Sequence, residues 1–474
     1  MKKNCAVILA AGEGTRMKTA KPKVLAEVLF KPMLNWVVDT TRQSGVEDIC
    51  VITGHMSESI LTHLSEDLET AMQNERLGTG HAVMQARDFI YRHGDADVLV
   101  LAGDAPLVDA QTITDALQLH RQSLSVATVI SAKVENPFGY GRVLRDKDGA
   151  LVRIVEERDA TDAQKTITEV NSGAYWFKAQ ALLTALDQLQ TEHKLSPESK
   201  SIKSKEYYLT DTIEILAELN LVVTAFSART HHVVLGANDR VQLAALNEIA
   251  RCEELNRHML NGVSIPCADG ILIGPDVEIG TDTSILPGTI LRGTVAIGSG
   301  CTIGPNTLIE NSTIGNNVHL NATQCYESSV GHGTQIGPFV RIRPGSTIGE
   351  SVHIGNFVEV KNSHIGKQTK VSHLSYIGDS DVGSDVNIGS GCATVNYTGK
   401  GKHRTLIKDG AFIGCNTNLV APVTIGKDAY TAAGSTITED VPDSSLAIAR
   451  ARQINKKGWV DAKKPFRRQH NVQG

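Results

Sequence analysis

The chain has 474 residues, more than one hydrophobic core sustains, so at least two domains are expected. Its 47 Lys and Arg against 52 Asp and Glu leave a net charge of −5, which argues against a surface built for polyanions and hence against a nucleic-acid partner. Eight cysteines lie scattered without a CxxC pair or zinc-ligand spacing, the pattern of reduced thiols in a cytoplasmic protein.

Lys2 and Lys3 precede an apolar run that stops at Gly12 and enters a charged loop, which reads as a buried first strand rather than a signal peptide. No segment is long enough for membrane insertion. Residues 5–10, 49–53 and 98–102 read as buried parallel strands, and residues 33–43, 80–91 and 111–122 as the helices between them. This alternation predicts a doubly wound α/β domain over residues 1–230, with ligands beyond the carboxyl ends of the strands. Residues 231–262 read as a linker whose helix runs from Asn238 to about His258.

Beyond the linker an aliphatic residue recurs every sixth position: Ile273, Ile279, Ile285, Leu291, Ile297, Ile303 and Ile309. Seven such matches would arise by chance about once in ten thousand, so the period is real. The register slips at Ile314, recovers from Val330 to Val360, slips again to Ile365, and returns at Ile413, Leu419 and Ile425. Six residues suit a short strand and a turn whose aliphatic side chain points inward; three such faces close a coil, and stacked coils make a parallel β-helix. The second domain, residues 263–451, has room for roughly ten coils of about 18 residues. A basic tail, 452–474, follows with Arg452, Lys456, Lys457, Lys463, Lys464, Arg467 and Arg468.

The first strand leads into Leu9-Ala10-Ala11-Gly12-Glu13-Gly14-Thr15-Arg16-Met17, then Lys21-Pro22-Lys23. Small residues let backbone N–H groups approach a phosphate chain, and Arg16 and Lys23 supply charge to neutralise it. Met17 stands where a dinucleotide fingerprint needs glycine, and no Gly-Lys-Ser or Gly-Lys-Thr of a P-loop occurs. The complete string resembles the signature of the sugar-phosphate nucleotidyltransferases. Further matches follow in order at Gln73, Leu77-Gly78-Thr79-Gly80, Gly103-Asp104, Gly139-Tyr140-Gly141-Arg142, Glu156 and Asn171-Ser172-Gly173.

Asp104, at a strand end, is either a helix cap or a metal ligand, and Mg²⁺ there would neutralise nucleotide phosphates. The resemblance implies a second ligand at Asn238, which could equally cap the linker helix. It also implies that Gln73, Gly78 and Thr79 read the uracil of UTP, and that Gly141, Glu156 and Asn171 hold an N-acetylhexosamine phosphate. No protein nucleophile is required; Mg²⁺, Arg16 and Lys23 carry the rate.

Residues that break the β-helix monotony gather between 339 and 451: Arg341, Arg343, Glu359, Lys361, His373, Tyr376, Asn387, Asn396 and Tyr397. With them nearly the whole chain, in motif and domain order, resembles the bacterial family of bifunctional enzymes that acetylate glucosamine 1-phosphate and uridylylate the product, N-acetylglucosamine 1-phosphate. That family implies a left-handed β-helix of hexapeptide repeats and a homotrimer. His373, two residues past inward-facing Val371, would be the general base for the attacking amine, and Glu359 could orient its imidazole. Arg341 and Lys361 would clamp the sugar phosphate, while Tyr376, Asn387 and Asn396 fix the sugar, with Tyr397 nearby.

The period fails at the basic loop 398–404. By resemblance, Lys402 and Arg450 approach the coenzyme A phosphates, and Ser390, Cys415 and Ala433 line the acetyl-pantetheine path, within an acetyl-CoA site that also takes in Asn396 and Tyr397. Glu13, Ala26, Ser390 and Cys415 depart from that family's usual residues; a thiol at 415 is a poorer hydrogen-bond donor than a hydroxyl. Two rival readings remain: a monofunctional nucleotidyltransferase whose β-helix serves assembly, and a non-enzymatic nucleotide-binding fusion.

Overall fold

The computed structural model describes residues 3–54, 56–195 and 206–463. Lys464, Arg467 and Arg468 of the basic tail lie outside the described residues. Two compact units divide the chain, Met1–Asn256 and Arg257–Gly474.

In the first unit the apolar runs become the centre of a nine-stranded sheet. Its strands are β1 (Cys5–Leu9), β2 (Asp48–Thr53), β3 (Glu69–Met72), β4 (Asp97–Ala102), β5 (Ala127–Lys133), β6 (Arg142–Arg145), β7 (Leu151–Val155), β8 (Glu169–Lys178) and β9 (Val223–Ser227). The order is β9-β5-β8-β4-β1-β2-β3, with β6 paired to β8 and β7 to β6. Successive β1 residues alternate faces: Cys5 and Val7 join one buried cluster, Ala6 and Ile8 the other. Both faces are therefore covered, as a parallel central strand demands.

β1, β2 and β4 are parallel, as expected from their continuous apolar runs. β8 is antiparallel to both β4 and β5, so the sheet is mixed; a buried strand looks equally apolar in either direction, and composition gave no sign of the reversal. Helices α1 (Met33–Gln43) and α4 (Ala110–Gln122) lie where the periodicity put them. The single helix expected over residues 80–91 is two, α2 (Thr79–Met84) and α3 (Arg87–Arg92). The break follows from Gln85 and Ala86, whose N–H groups bond three residues back, to Ala82 and Val83, and tighten the turn.

The second unit is built from three parallel sheets of ten, nine and ten short strands. Each strand pairs with the one three places later until the last coil, where Tyr430–Thr431 pairs with Leu446–Ala447, two places later, and the stack makes ten coils. The chain is thus α/β plus all-β, and its second unit is a left-handed parallel β-helix of hexapeptide repeats. Ile273, Ile285, Leu291, Ile297, Ile303 and Ile309 are buried and Ile279 is half-buried; each fully buried side chain contributes about 1.5–3 kcal/mol. The slip at Ile314 leaves the ladder unbroken, because Ile297 pairs with Ile314 and Ile314 with Val330, and the shortened turn absorbs the missing residue. Gly298 is required by closeness: a Cβ there would lie 2.8 Å from the backbone nitrogen of Asn316 in the next coil. Among the described residues no helix is long and apolar enough to cross a membrane.

Candidate functional sites

The loop after β1 turns back on itself through Gly14, whose φ of 63° and close approach to the Lys23 side chain both require glycine. Lys23, almost fully buried, forms an ion pair with Asp104 and donates to Asn238 Oδ1 at 2.8 Å. Arg16 Nη2 reaches the same oxygen at 3.0 Å. Loop, strand end and linker segment thus converge on one cation.

The capping alternatives for Asp104 and Asn238 fall away here. Asp109 caps α4 by accepting from Thr112 N at 2.8 Å, and Asp239 caps helix α5 (Arg240–Leu260) by accepting from Gln242 N at 2.9 Å. One carboxylate and one amide oxygen, already gathered around an ammonium, fit a hard divalent cation that keeps waters and substrate phosphates as its other ligands. No cluster of three or more His, Cys, Asp or Glu side chains suited to a metal occurs among the described residues. Glu13 turns to an ion pair with Arg76.

Gln73 is buried, and its Nε2 donates to Gly78 O at 3.1 Å. Thr79 Oγ1 accepts from Leu209 N at 3.0 Å, and Gly80 N donates to Tyr207 O at 2.8 Å. A Cβ on Gly78 would meet the Tyr207 carbonyl, so the candidate base-reading turn is pinned from behind. Asn171 N donates to Gly141 O at 2.9 Å, and a Gly141 Cβ would lie 3.5 Å from either Glu156 carboxylate oxygen, which puts the three sugar candidates together. Burial pushes the Glu156 carboxyl up, against the lowering effect of its hydrogen bond from Thr210. Beside it, burial and the charges of Glu214 and Glu156 push Asp211 up to about 7.

On the β-helix, Arg341, Glu359 and Tyr376 occupy successive rungs of one sheet. They line a groove of about 630 Å³ with Phe339, Phe357 and Leu374. These three apolar residues are exposed and hold positive φ of 59°, 59° and 46°. Lys361 Nζ lies 3.0 Å from Asp379 Oδ2, and Asn396 Nδ2 lies 3.4 Å from the Tyr376 hydroxyl. Lys402 comes back against Lys361, whose charge lowers its pKa.

Glu359 does not orient His373. The imidazole Nδ1 is 2.8 Å from Asn356 Oδ1, while Glu359 pairs with Arg343 at 3.0 Å. The reason is register: Asn356 and His373 are direct partners on adjacent rungs, whereas Glu359 starts the next face of the coil.

Asn387 lies on the His373 sheet, paired with Lys370 and Phe412. Ser390 and Cys415 follow one another up a corner: Asn416 N donates to Ser390 O at 2.7 Å and Gly434 N to Cys415 O at 2.8 Å. Ala433 precedes that glycine, and a Gly434 Cβ would lie 3.8 Å from Arg450 Cδ. Tyr397 is exposed, its hydroxyl donating to Gly399 O at 2.9 Å.

The pattern of the family described as "Nucleotidyl transferase" matches residues 5–212, and that described as "Bacterial transferase hexapeptide (six repeats)" matches residues 273–311 and 327–362. A "Bifunctional protein GlmU" from Geobacillus sp. (strain WCH70) is 47% identical over 97% of this chain and 98% of its own length. Another of that name, from Clostridioides difficile (strain 630), is 46% identical over 97% of each. The chain belongs to the bifunctional GlmU family. It is an enzyme that joins a nucleotidyltransferase unit to a hexapeptide-repeat acyltransferase unit.

Three groups of the GlmU sites carried no role in the sequence reading. Asn356 could have been found by counting one coil back from His373, a separation of 17 residues. Asp379 and the pair Thr210 and Asp211 gave no such signal, since nothing in an Asp or Thr announces which side chain it will face.

Proposed function

We propose that the β-helical unit acetylates glucosamine 1-phosphate with acetyl-CoA, and that the α/β unit then transfers the uridylyl group of UTP to N-acetylglucosamine 1-phosphate, releasing pyrophosphate. The observation that carries the acetyl half is His373, fixed through Nδ1 by Asn356, close to a groove lined by Arg341, Glu359 and Tyr376. A mere spacer has no use for that set.

In acetyl transfer the amine attacks the thioester carbonyl, and His373 Nε2 takes the amine proton while coenzyme A leaves as the thiol. Arg341 and Lys361 hold the sugar phosphate, and Tyr376, Asn387 and Asn396 hold the sugar. Ser390, Cys415 and Ala433 flank the acetyl-pantetheine chain, with Lys402 and Arg450 towards its phosphates and Tyr397 alongside. Glu359 acts on the sugar side, paired with Arg343.

In uridylyl transfer a sugar-phosphate oxygen attacks the α-phosphate in line and pyrophosphate departs. The loop Leu9, Ala10, Ala11, Gly12 and Gly14 receives the phosphates, and Arg16 and Lys23 neutralise them. Gln73, Gly78 and Thr79 read the base; Gly141, Glu156 and Asn171 hold the sugar. Mg²⁺ held by Asp104 and Asn238 would supply charge neutralisation across the nucleotide phosphates.

We place this chemistry in the cytoplasm and in a homotrimer, for which the exposed Phe339, Phe357 and Leu374 beside a shallow groove give physical grounds. The functional segments are 1–230, 231–262, 263–451 and the tail 452–474; the cut between compact units falls inside the second.

The test follows free thiol and pyrophosphate in one reaction containing glucosamine 1-phosphate, acetyl-CoA, UTP and Mg²⁺. Both are expected, with thiol persisting when UTP is omitted and pyrophosphate alone lost in chelator. Pyrophosphate only from added N-acetylglucosamine 1-phosphate, with no thiol at any time, would reduce the β-helix to a scaffold. Thiol without pyrophosphate would remove the uridylyl half.

A further inference from the structure

The β-helix has an ordinary use for Asp and Asn at its corners. At several of them the side chain caps a backbone N–H of the neighbouring coil. Asn311, at φ 46°, accepts from Thr294 N at 3.0 Å. Asp409 accepts from Ser384 N and Asp440 from Thr424 N, each at 2.7 Å, and Asp443 from Lys427 N at 2.8 Å.

Asp379 occupies such a corner, at φ 48°, and does something else. Its carboxylate is buried, and its hydrogen-bond donors are all side chains. Lys361 Nζ lies 3.3 Å from Oδ1 and 3.0 Å from Oδ2. Asn362 Nδ2 donates to Oδ1 at 2.7 Å, and Asn396 Nδ2 donates to Oδ2. The Asn396 amide also reaches the Tyr376 hydroxyl. One carboxylate therefore ties together three of the groups assigned above to the sugar and its phosphate. It also offsets the positive charge where Lys402 crowds Lys361.

A lysine ammonium is a point charge on four rotatable bonds, and a phosphate clamp gains from having it already aimed. A buried carboxylate with several donors supplies that aim. We infer that Asp379 is a positioning residue of the acetyl-transfer site, which fixes Lys361 and Asn396 for the glucosamine 1-phosphate while touching no substrate itself. The inference rests on the reading of Lys361 as part of the phosphate clamp.

The experiment uses the full chain and compares Asp379→Asn, Lys361→Met and the double variant in acetyl transfer, with uridylyl transfer and the thermal unfolding profile as controls. Asp379→Asn is expected to raise the KM for glucosamine 1-phosphate about tenfold, leave the KM for acetyl-CoA within about twofold, and add little to the effect of Lys361→Met in the double variant. If Lys361→Met leaves the KM for glucosamine 1-phosphate unchanged, the clamp reading is wrong and the inference goes with it. If Lys361→Met raises that KM and Asp379→Asn does not, the positioning role alone is overturned. A uniform loss of kcat with both KM values altered alike would mark a structural carboxylate and also overturn it. Should Asp379→Asn fail to fold, Asp379→Glu takes its place: Glu327 already holds a corner at φ 41°, so the turn admits glutamate. Its longer arm keeps the charge but moves the carboxylate relative to Lys361 and Asn396, so a selective rise of about threefold or more in the KM for glucosamine 1-phosphate is expected, and an unchanged KM would overturn the positioning role.

Discussion

The contact between His373 and Asn356 makes a quantitative claim. An Asn356→Ala substitution removes the partner 2.8 Å from Nδ1 and leaves an exposed imidazole free to rotate and to change tautomer. With Nδ1–H donating to the amide oxygen, Nε2 is the bare nitrogen that accepts the proton. A neutral hydrogen bond of this kind is worth about 0.5–1.5 kcal/mol, which corresponds to a fall in acetyl-transfer kcat of about two- to thirteenfold. His373→Ala, which removes the base itself, should cost on the order of 10²–10⁴. The assay is thiol release at saturating substrates, with pyrophosphate release from N-acetylglucosamine 1-phosphate as the internal control. Asn356→Asp adds a sign: a carboxylate at Nδ1 favours the imidazolium, so the acidic limb of kcat/KM moves to higher pH. An Asn356→Ala enzyme with parental kcat, together with an Asn356→Asp profile that does not move, would refute the orienting role.

Two further outcomes concern the first unit. Burial alone would raise the Asp97 carboxyl, but the His120 imidazole 3.6 Å away and hydrogen bonds from Lys178 and Arg121 hold it well below the usual range. Its contribution is therefore fully present above the ordinary carboxylate pKa near about 3.9 and is lost as pH falls through the folded value. Asp97→Asn should cost about 2–3 kcal/mol in urea unfolding at pH 7, less than a fully buried pair because Lys178 and Arg121 reach solvent. The gap should narrow towards pH 2; a constant gap would mean the charge is not its source. Gly14→Ala places a Cβ on the Lys23 side chain at a φ of 63°, and is expected to slow uridylyl transfer about tenfold or more while acetyl transfer is unchanged. Equal losses in both reactions would point to global misfolding instead.

What the sequence disclosed depended on whether the signal was periodic. The sixfold recurrence of Ile and Leu specifies the β-helix because every coil repeats the same burial, and the three sheets follow the hexads rung by rung. The strand before Asp104 was legible for a similar reason, as a continuous apolar run. Single polar residues were not. Asn238 and Asp239 both suit an N-cap, and only the backbone path decides that Asp239 caps while Asn238 faces Lys23. Glu359 and Asn356 both stand within reach of His373 on paper; a face boundary between them separates the two. The direction of β8 left no trace, since Tyr175, Trp176 and Phe177 are equally buried whichever way the strand runs.

Because Arg341, Glu359 and Tyr376 sit on consecutive rungs, their backbones are spaced by the stacking repeat of about 4.8 Å. The β-helix is therefore a ruler with fixed graduations. A loop-built pocket can drift by fractions of an ångström as neighbouring residues change, but here the ladder of hydrogen bonds forbids intermediate settings. Evolution or design that seeks a longer or shorter acceptor on this face must exchange one side chain for another, or move a group by a whole coil.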